Sequence, residues 1–216
     1  MCMDFLNVRG QLEALNEKAD WYHVDIMDGH FCKNITLSPD LVRTFGQVAS
    51  LPMDVHLMTV TPNDWIDAVA DAGAACVSVH AETINTDAYR TLRRIEELGC
   101  QKGAVLNPAT PLSFIEHYID MLDMLTIMTV DVGYAGQRFI EQMLPKIELA
   151  RTLKEKRGYG YRVQVDGACN EKTFQRLMNA GAEILIVGSS GLFQRDNDVR
   201  AAYDKMLAAF ERAMQA

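Results

Sequence analysis

Short β-branched segments alternate along the chain with longer segments whose apolar residues recur at steps of three and four. The first pattern predicts β-strands and the second predicts amphipathic helices. The predicted strands are residues 21–25, 53–57, 76–80, 103–106, 125–129, 162–166 and 184–187. The predicted helices are residues 6–18, 37–48, 64–72, 87–98, 112–118, 144–156, 171–179 and 199–214.

This alternation predicts a parallel sheet, either a closed (β/α)8 barrel or an open doubly wound sheet. The units repeat every ~25–30 residues, and polar residues follow nearly every strand rather than one switch point, which favours the barrel. We therefore predict one (β/α)8 TIM barrel domain over residues 1–216.

The strand count is one short, since the pattern yields seven strands and begins with a helix. Either residues 1–3 form a compressed first strand, or the sequence starts after that strand. Because a seven-stranded barrel would expose two edges, we favour a first strand that is truncated or missing from the sequence.

Polar side chains that suit a metal site stand at the carboxyl ends of the strands. His23 and Asp25 are two residues apart and share a strand face, opposite an apolar face, so we expect them to point into the barrel mouth. His56 and Asp166 end other strands in the same way. Two histidines and two aspartates form a mixed nitrogen and oxygen site for Zn²⁺, Fe²⁺, Co²⁺ or Mn²⁺.

Glycine-bearing loops follow two late strands, at residues 130–137 and 187–192. Glycine lets backbone N–H groups close on a phosphate, and barrels often bind phosphate at these loops. Each loop alone is equally compatible with an ordinary turn, but their position favours a phosphate site.

The composition limits the kinds of molecule that the protein is expected to bind. The net charge is −8 without a run of Lys or Arg, which argues against nucleic acid, and no apolar run approaches a membrane span. The five cysteines form no C-x-x-C motif, so we expect free thiols and a cytoplasmic protein.

Six motifs, HVDIMDGHF, DVHLM, LNPATP, MTVDVGYAGQ, VDGACN and VGSSGLF, occur in this order. With them the chain resembles the ribulose-phosphate 3-epimerase family from about residue 21 to residue 193. The segments MCMD, HAETIN and GSSGLF are more similar to the branch that acts on D-allulose 6-phosphate.

The resemblance implies one divalent metal held by His23, Asp25, His56 and Asp166, with Asp25 and Asp166 as the acid/base pair. It also implies substrate and phosphate contacts and three methionines that line the pocket, Met27, Met58 and Met128. The implied contacts are His56, Gly133, Tyr134, Ala135, Gly136, Gly167, Ala168, Gly188, Ser189 and Ser190. Family members also suggest a homo-oligomer.

The implied reaction inverts carbon 3 of a ketose phosphate, with D-allulose 6-phosphate and D-fructose 6-phosphate as the first pair. Two carboxylates exchange the proton, and a metal stabilises the enediolate. Ribulose 5-phosphate, which gives xylulose 5-phosphate, is the alternative substrate. A sugar-phosphate-binding paralogue with impaired catalysis is another alternative, and a metal-dependent hydrolase or aldolase has less support because no lysine stands on a strand as a Schiff-base candidate.

The chain departs from the family in three places, one of which is residues 31–34, which read FCKN where family members often read FVPN. The Pro-Ser motif of the first strand is absent, and Val132, Tyr134 and Ala135 stand where the family has Pro, Phe and Gly. Ala135 would weaken phosphate binding unless its φ is negative. We expect Asp28 to hold the loop after the first predicted strand, His30 to lie at the rim, and His80 and Glu82 to support the metal ligands.

Overall fold

The computed structural model describes residues 1–215 and contains one sheet of seven parallel strands in chain order. The strands are β1 (Tyr22–Met27), β2 (Met53–Met58), β3 (Cys76–His80), β4 (Gln101–Leu106), β5 (Met124–Met128), β6 (Arg162–Asp166) and β7 (Ile184–Ile186). All seven predicted strands are confirmed, with ends displaced by at most two residues. The sheet curls as in a TIM barrel, and helices follow its strands.

Helices α1 (Val8–Leu15), α2 (Pro39–Phe45), α3 (Asn63–Asp71), α5 (Ala88–Glu97), α6 (Met143–Arg157), α7 (Phe174–Ala180) and α8 (Val199–Gln215) confirm seven predicted helices. The short α4 (Ala81–Ile84) was not predicted. Among the described residues, no helix has both the length and the hydropathy needed to cross a membrane.

The predicted helix at residues 112–118 is wrong, since only Leu112–Ile115 form a 3-10 turn there and a second 3-10 turn, Ile119–Met121, begins after the segment ends. Leu112, Ile115 and Tyr118 are all buried. Their spacing of three residues matches the three residues per turn of a 3-10 helix, so tight turns bury all three.

The barrel is incomplete between β7 and β1, each of which pairs with one neighbour only. Residues 1–3 form no strand, so the compressed first strand is wrong. Met1 instead packs beside Met27 and Met58, and the Cys2 thiol accepts a hydrogen bond from the Ser189 hydroxyl over 3.3 Å. A cavity of about 660 Å³, lined by β1, β7, α1 and α8, lies at this gap.

Strand alternation sorts the side chains as predicted. Tyr22, Val24 and Ile26 join the main apolar core with residues of the surrounding helices, whereas His23 and Asp25 take the opposite face. The parallel register sets His23 beside Asp54 and Asp25 beside His56, and it sets Met128 beside Asp166 across β5 and β6. The carboxyl end of the sheet therefore holds these polar side chains on its inner face.

Candidate metal centre and active site

The four predicted metal ligands meet at the carboxyl end of the sheet. One nitrogen or oxygen atom from each of His23, Asp25, His56 and Asp166 lies within 4.8 Å of the others. His23 and Asp25 come from β1, His56 comes from β2 and Asp166 ends β6. Residues that are up to 143 positions apart in sequence thus form one compact cluster (166 − 23 = 143).

The donor atoms are separated by distances typical of ligands that bind one cation. His23 Nε2 lies 3.3 Å from His56 Nδ1, and both nitrogens lie 3.4 Å from Asp25 Oδ1. Asp166 Oδ2 is 3.9 Å from each of the two nitrogens. Ligands bound tetrahedrally at about 2.0–2.2 Å from Zn²⁺ would stand roughly 3.4 Å apart, so the four residues fit a divalent metal.

A buried carboxylate holds His23 from behind. His23 Nδ1 lies 2.9 Å from Asp54 Oδ2, while Ser78 Oγ and Gln164 Nε2 donate to Asp54 over 2.6 Å and 3.1 Å. Burial disfavours protonated His23, but Asp54 and Asp25 outweigh it and raise the pKa of His23. Asp54 thus directs the other ring nitrogen, Nε2, at the cluster.

His56 is held by a longer arrangement of hydrogen bonds. Its Nε2 lies 2.9 Å from His80 Nε2, and His80 Nδ1 lies 3.3 Å from Glu82 Oε2. Burial of the His80 ring lowers its pKa to about 4. Burial opposes ionisation of Glu82, yet hydrogen bonds from His80 and Thr110 lower its pKa to about 2, so a neutral ring faces an anionic carboxylate. The expected supporting position of His80 and Glu82 is found.

The two aspartates of the cluster differ in electrostatic environment. Burial opposes ionisation of Asp25, but contacts with His23 and His56 outweigh it and hold its pKa well below the ordinary value. Burial, together with the negative charge of Asp25, raises the pKa of Asp166 above its ordinary value. A pair whose pKa values are pushed apart can provide one base and one acid.

The three predicted methionines lie near the cluster, because Met27 and Met58 follow Asp25 and His56 by two residues and Met128 pairs with Asp166 across β5 and β6. Met27 and Met58 pack with Cys32 in one small apolar group, and Met128 packs with Val105 and Val130 in another. All three methionines are at most 3% exposed. They give this end of the sheet an apolar lining that offers no competing acid.

The predicted phosphate loop after β5 contacts the loop after β1. Gly133 and Gly136 have positive φ values of 123° and 85°. The carbonyl of Gly133 accepts a hydrogen bond from the Asn34 side chain over 2.8 Å, which ties this loop to the one after β1. Tyr134 is 66% exposed.

The loops after β6 and β7 also contact each other. Asn170 Nδ2 donates to both Ala168 O and Ser190 Oγ over 3.1 Å, and Ser189–Phe193 form one wide π-helical turn. Gly191 permits this approach, since a Cβ there would stand 2.2 Å from the carbonyl oxygen of Cys169.

The departure at Ala135 causes no backbone strain. Among the described non-glycine residues only Ala168 has a positive φ, at 49°, so Ala135 meets the condition that its φ is not left-handed. Ala168 follows Gly167, whose φ is 115°.

The remaining polar residues of the opening motif shape a loop. Asp28 accepts hydrogen bonds from the N–H groups of His30, Phe31 and Val60, each over 2.8 Å. These bonds tie the loop after β1 to the loop after β2, as we expected of Asp28. His30 is exposed and forms its contacts within the loop.

Asp54 is the functional residue that the sequence analysis missed. It lies two positions before His56 on β2, so the alternation that identified His23 and Asp25 also places Asp54 inside the barrel. The signal was present in the DVHLM motif. The five cysteines are free, as predicted.

Comparison with known proteins gives an independent result. Residues 1–193 match the model of the ribulose-phosphate 3 epimerase family. Ribulose-phosphate 3-epimerase from Bacillus subtilis (strain 168) is 45% identical over 179 residues, which cover 82% of this chain and 82% of the relative. Ribulose-phosphate 3-epimerase from Synechocystis sp. is 40% identical over 189 residues, which cover 87% of this chain and 82% of the relative.

Solved structures support the fold. A mutant tryptophan synthase alpha-subunit from Pyrococcus furiosus superposes with a TM-score of 0.69 at 17% identity, covering 97% of this chain and 93% of that one. At this identity the similarity concerns the fold alone. Together with the family model and the relatives above, the motifs establish that the chain belongs to the ribulose-phosphate 3-epimerase family, whose members are isomerases of carbohydrate phosphates.

Proposed function

We propose that this ketose-phosphate 3-epimerase interconverts D-allulose 6-phosphate and D-fructose 6-phosphate by two-aspartate acid/base catalysis with one divalent metal. The observation that carries the proposal is the convergence of His23, Asp25, His56 and Asp166 beside three glycine-bearing loops. On this proposal, acid/base groups, metal ligands and phosphate-binding backbone would all come from one end of the sheet.

Asp25 and Asp166 are the proposed proton-transfer groups. One carboxylate removes the proton from carbon 3, next to the ketone, and the other returns a proton to the opposite face of that carbon. Their roles exchange when the reaction runs in reverse. The low pKa of Asp25 and the raised pKa of Asp166 support a pair that begins with one base and one acid.

The four ligands would hold Zn²⁺, Fe²⁺, Co²⁺ or Mn²⁺, since histidine and carboxylate donors accept all of these ions. When bound, the metal supplies positive charge where negative charge develops on the substrate oxygen. Met27, Met58 and Met128 would exclude water from this side of the pocket, so that the proton passes between the aspartates rather than to solvent.

The phosphate group would lie on the rim formed by three loops. The proposed contacts are Gly133, Tyr134, Ala135, Gly136, Gly167, Ala168, Gly188, Ser189 and Ser190. Backbone N–H groups at glycine-rich turns and hydroxyl groups are suitable donors to phosphate oxygens. Binding at the rim would fix the sugar so that carbon 3 lies between Asp25 and Asp166.

Ribulose 5-phosphate is the second candidate substrate, because the relatives at 45% and 40% identity carry the name ribulose-phosphate 3-epimerase. The motif details MCMD, HAETIN and GSSGLF favour the six-carbon sugar. The two substrates differ by one carbon between the reacting centre and the phosphate, so the ratio of their kcat/KM values distinguishes the two assignments.

The test is proton exchange in deuterated water. The metal-loaded protein is incubated separately with each sugar phosphate, and deuterium at carbon 3 is followed together with epimer formation. Asp25→Asn and Asp166→Asn should each lower kcat by about 10²–10⁴-fold. Asp71→Asn, which alters an exposed carboxylate on α3, is the matched control.

Activity that survives both aspartate substitutions would exclude the two-aspartate mechanism. Full metal occupancy without exchange of either sugar would instead favour the impaired sugar-phosphate-binding paralogue. Assembly as a homo-oligomer stays a prediction, and light scattering of the purified protein measures it.

A further inference from the structure

His56 must present one particular ring nitrogen to serve as a metal ligand. Its Nδ1 faces the cluster, 3.4 Å from Asp25 Oδ1, and its Nε2 faces away from it, 2.9 Å from His80 Nε2. A neutral imidazole carries its proton on one nitrogen only, and the unprotonated nitrogen is the one that binds metal. His56 is therefore a competent ligand only when its proton is on Nε2.

The neighbours of His56 determine which nitrogen carries the proton. Two facing Nε2 atoms at 2.9 Å need one proton between them, so exactly one of the two rings donates. If His80 carries its proton on Nδ1, its Nε2 accepts from His56. If His80 carries its proton on Nε2, it donates to His56 and the metal-facing Nδ1 becomes protonated.

Glu82 favours the first of these two states. Its Oε2 lies 3.3 Å from His80 Nδ1, and an ionised carboxylate can only accept, so it requires a proton on that nitrogen. The carboxylate is itself fixed, because its Oε1 accepts from the N–H of Asn107 over 3.0 Å and from the Thr110 hydroxyl.

The rings have little freedom to escape this arrangement. His56 and His80 are fully buried, and the Phe31 ring packs on His80 with centroids 4.5 Å apart. The segment around Asn107 is held in turn by Lys146, whose Nζ donates to Asn107 O over 2.8 Å. The hydrogen-bond chain thus runs from the loop after β4, through β3, to the ligand on β2.

We propose that His80 and Glu82 are positioning residues that fix His56 as the Nε2–H tautomer and so keep its Nδ1 available to the metal. The inference rests on the metal site of the proposed function but not on the identity of the sugar. It gives the two ligand histidines different supports: Asp54 contacts His23 directly, whereas Glu82 acts on His56 through His80.

The substitution Glu82→Gln tests this role with little change of shape. The amide oxygen is required at the Oε1 position, which receives two donors, so the NH₂ group must face His80 Nδ1. Because the NH₂ group donates to His80 Nδ1, His80 must carry its own proton on Nε2. His80 then donates to His56, and the proton of His56 moves onto Nδ1. If the contact between residue 82 and His80 were merely structural, Glu82→Gln would keep it, because the amide group still reaches His80 Nδ1, and the tautomer of His56 would not matter.

Two measurements on the full chain give the answer. Nitrogen-15 imidazole spectra of the metal-free protein report which nitrogen of His56 carries the proton. Competition with a chelator, followed by the visible absorption of Co²⁺, reports metal affinity. Glu96→Gln, which changes only an exposed ion pair with Lys102, is the matched control.

We expect the Nε2–H form of His56 in the wild type and the Glu96→Gln control, and the Nδ1–H form in Glu82→Gln. Co²⁺ affinity should fall about 10–100-fold in Glu82→Gln and stay unchanged in the control. Wild-type tautomer and affinity in Glu82→Gln would overturn the proposal. If Glu82→Gln does not fold, an Nδ1–H tautomer of His56 in the wild type overturns it and an Nε2–H tautomer supports it.

These measurements separate the positioning role of His80 and Glu82 from the epimerase assignment. Failure to epimerise either sugar would leave the tautomer and affinity results intact. An active epimerase whose Co²⁺ affinity is unchanged in Glu82→Gln would refute only the positioning role of His80 and Glu82.

Discussion

At the scale of single residues, neighbours rather than residue type decide what each aspartate does. Asp25 is kept ionised by two histidines, Asp166 is pushed towards its neutral form, and Asp54 holds His23 from the barrel interior. Asp28 holds backbone N–H groups of two loops. Four aspartates near one end of the sheet therefore have four different environments.

Asp54→Asn should weaken metal binding although Asp54 is not a ligand. The substitution removes the charge that orients His23, and loss of such a partner typically costs about 10–100-fold in metal affinity. Co²⁺ titration measures the effect. Ser78→Ala, which removes one donor to Asp54 but leaves its charge, is the control and should change the affinity much less. Equal affinities in Asp54→Asn and wild type would show that Asp54 does not support the site.

His80 should make the stability of the metal-free protein pH-dependent. Its folded pKa is about 4, below the ordinary value of 6.5, so between these values the unfolded chain binds a proton that the folded chain does not. The free energy of unfolding should therefore fall as the pH is lowered through this window, by up to about 3 kcal/mol.

Urea unfolding of wild type and His80→Gln at about pH 7 and about pH 4.5 measures this contribution as a difference between the two proteins. The wild type should lose more stability than the variant on acidification, because only the wild type carries the titrating ring. Parallel losses in both proteins would contradict the assignment.

At the scale of secondary structure, strand alternation turns the polar side chains into the barrel, and close packing of neighbouring strands holds them in place. β3 and β4 approach closely inside the barrel because residue 103 is glycine: a Cβ there would stand 2.8 Å from Ser78 Cα and 2.2 Å from Ser78 Oγ. Ser78 is also the residue that donates to Asp54. The packing of two strands thus supports the polar network behind His23.

Gly103→Ala should destabilise the protein by about 1–3 kcal/mol, the usual cost of overpacking a dense core, because the backbone of β3 must move. Denaturant unfolding provides the free energy of unfolding. The matched control is Gly160→Ala, at a position where an added Cβ meets no atom within 4 Å, and this variant should be close to neutral. A neutral Gly103→Ala would mean that β3 and β4 separate at little cost.

At the scale of the whole molecule, the metal cluster joins the two ends of an open sheet. β1 and β7 are the two edges of the sheet and do not pair with each other. The ligands on β1 and β2 nevertheless meet Asp166 of β6 on the other side of the gap. A bound cation would therefore link strands that backbone hydrogen bonds do not connect directly.

Metal binding should stabilise the fold in proportion to occupancy. At 100 times the Kd, binding to the folded state alone contributes about 2.7 kcal/mol, which corresponds to a rise in Tm of roughly 5–10 °C for a domain of this size. Calorimetry with and without Zn²⁺ measures the shift, and a chelator should reverse it. His23→Gln should largely abolish the shift, whereas a full shift in that variant would exclude His23 as a ligand.

The sequence by itself determined the order of strands, which residues face inward, and the motifs that establish the family. These features follow from two-residue and helical periodicity, which are local properties. It misplaced the helix at residues 112–118, because the spacing of three that the buried residues there share is also close to the helical period.

Only the tertiary structure decided the environment of each group. It brought Asp54 behind His23, set His80 between His56 and Glu82, and separated the pKa values of Asp25 and Asp166. It also left the edges of β1 and β7 unpaired with each other. Hydrogen bonds and electrostatic shifts depend on distances between residues far apart in the chain, which no local pattern contains.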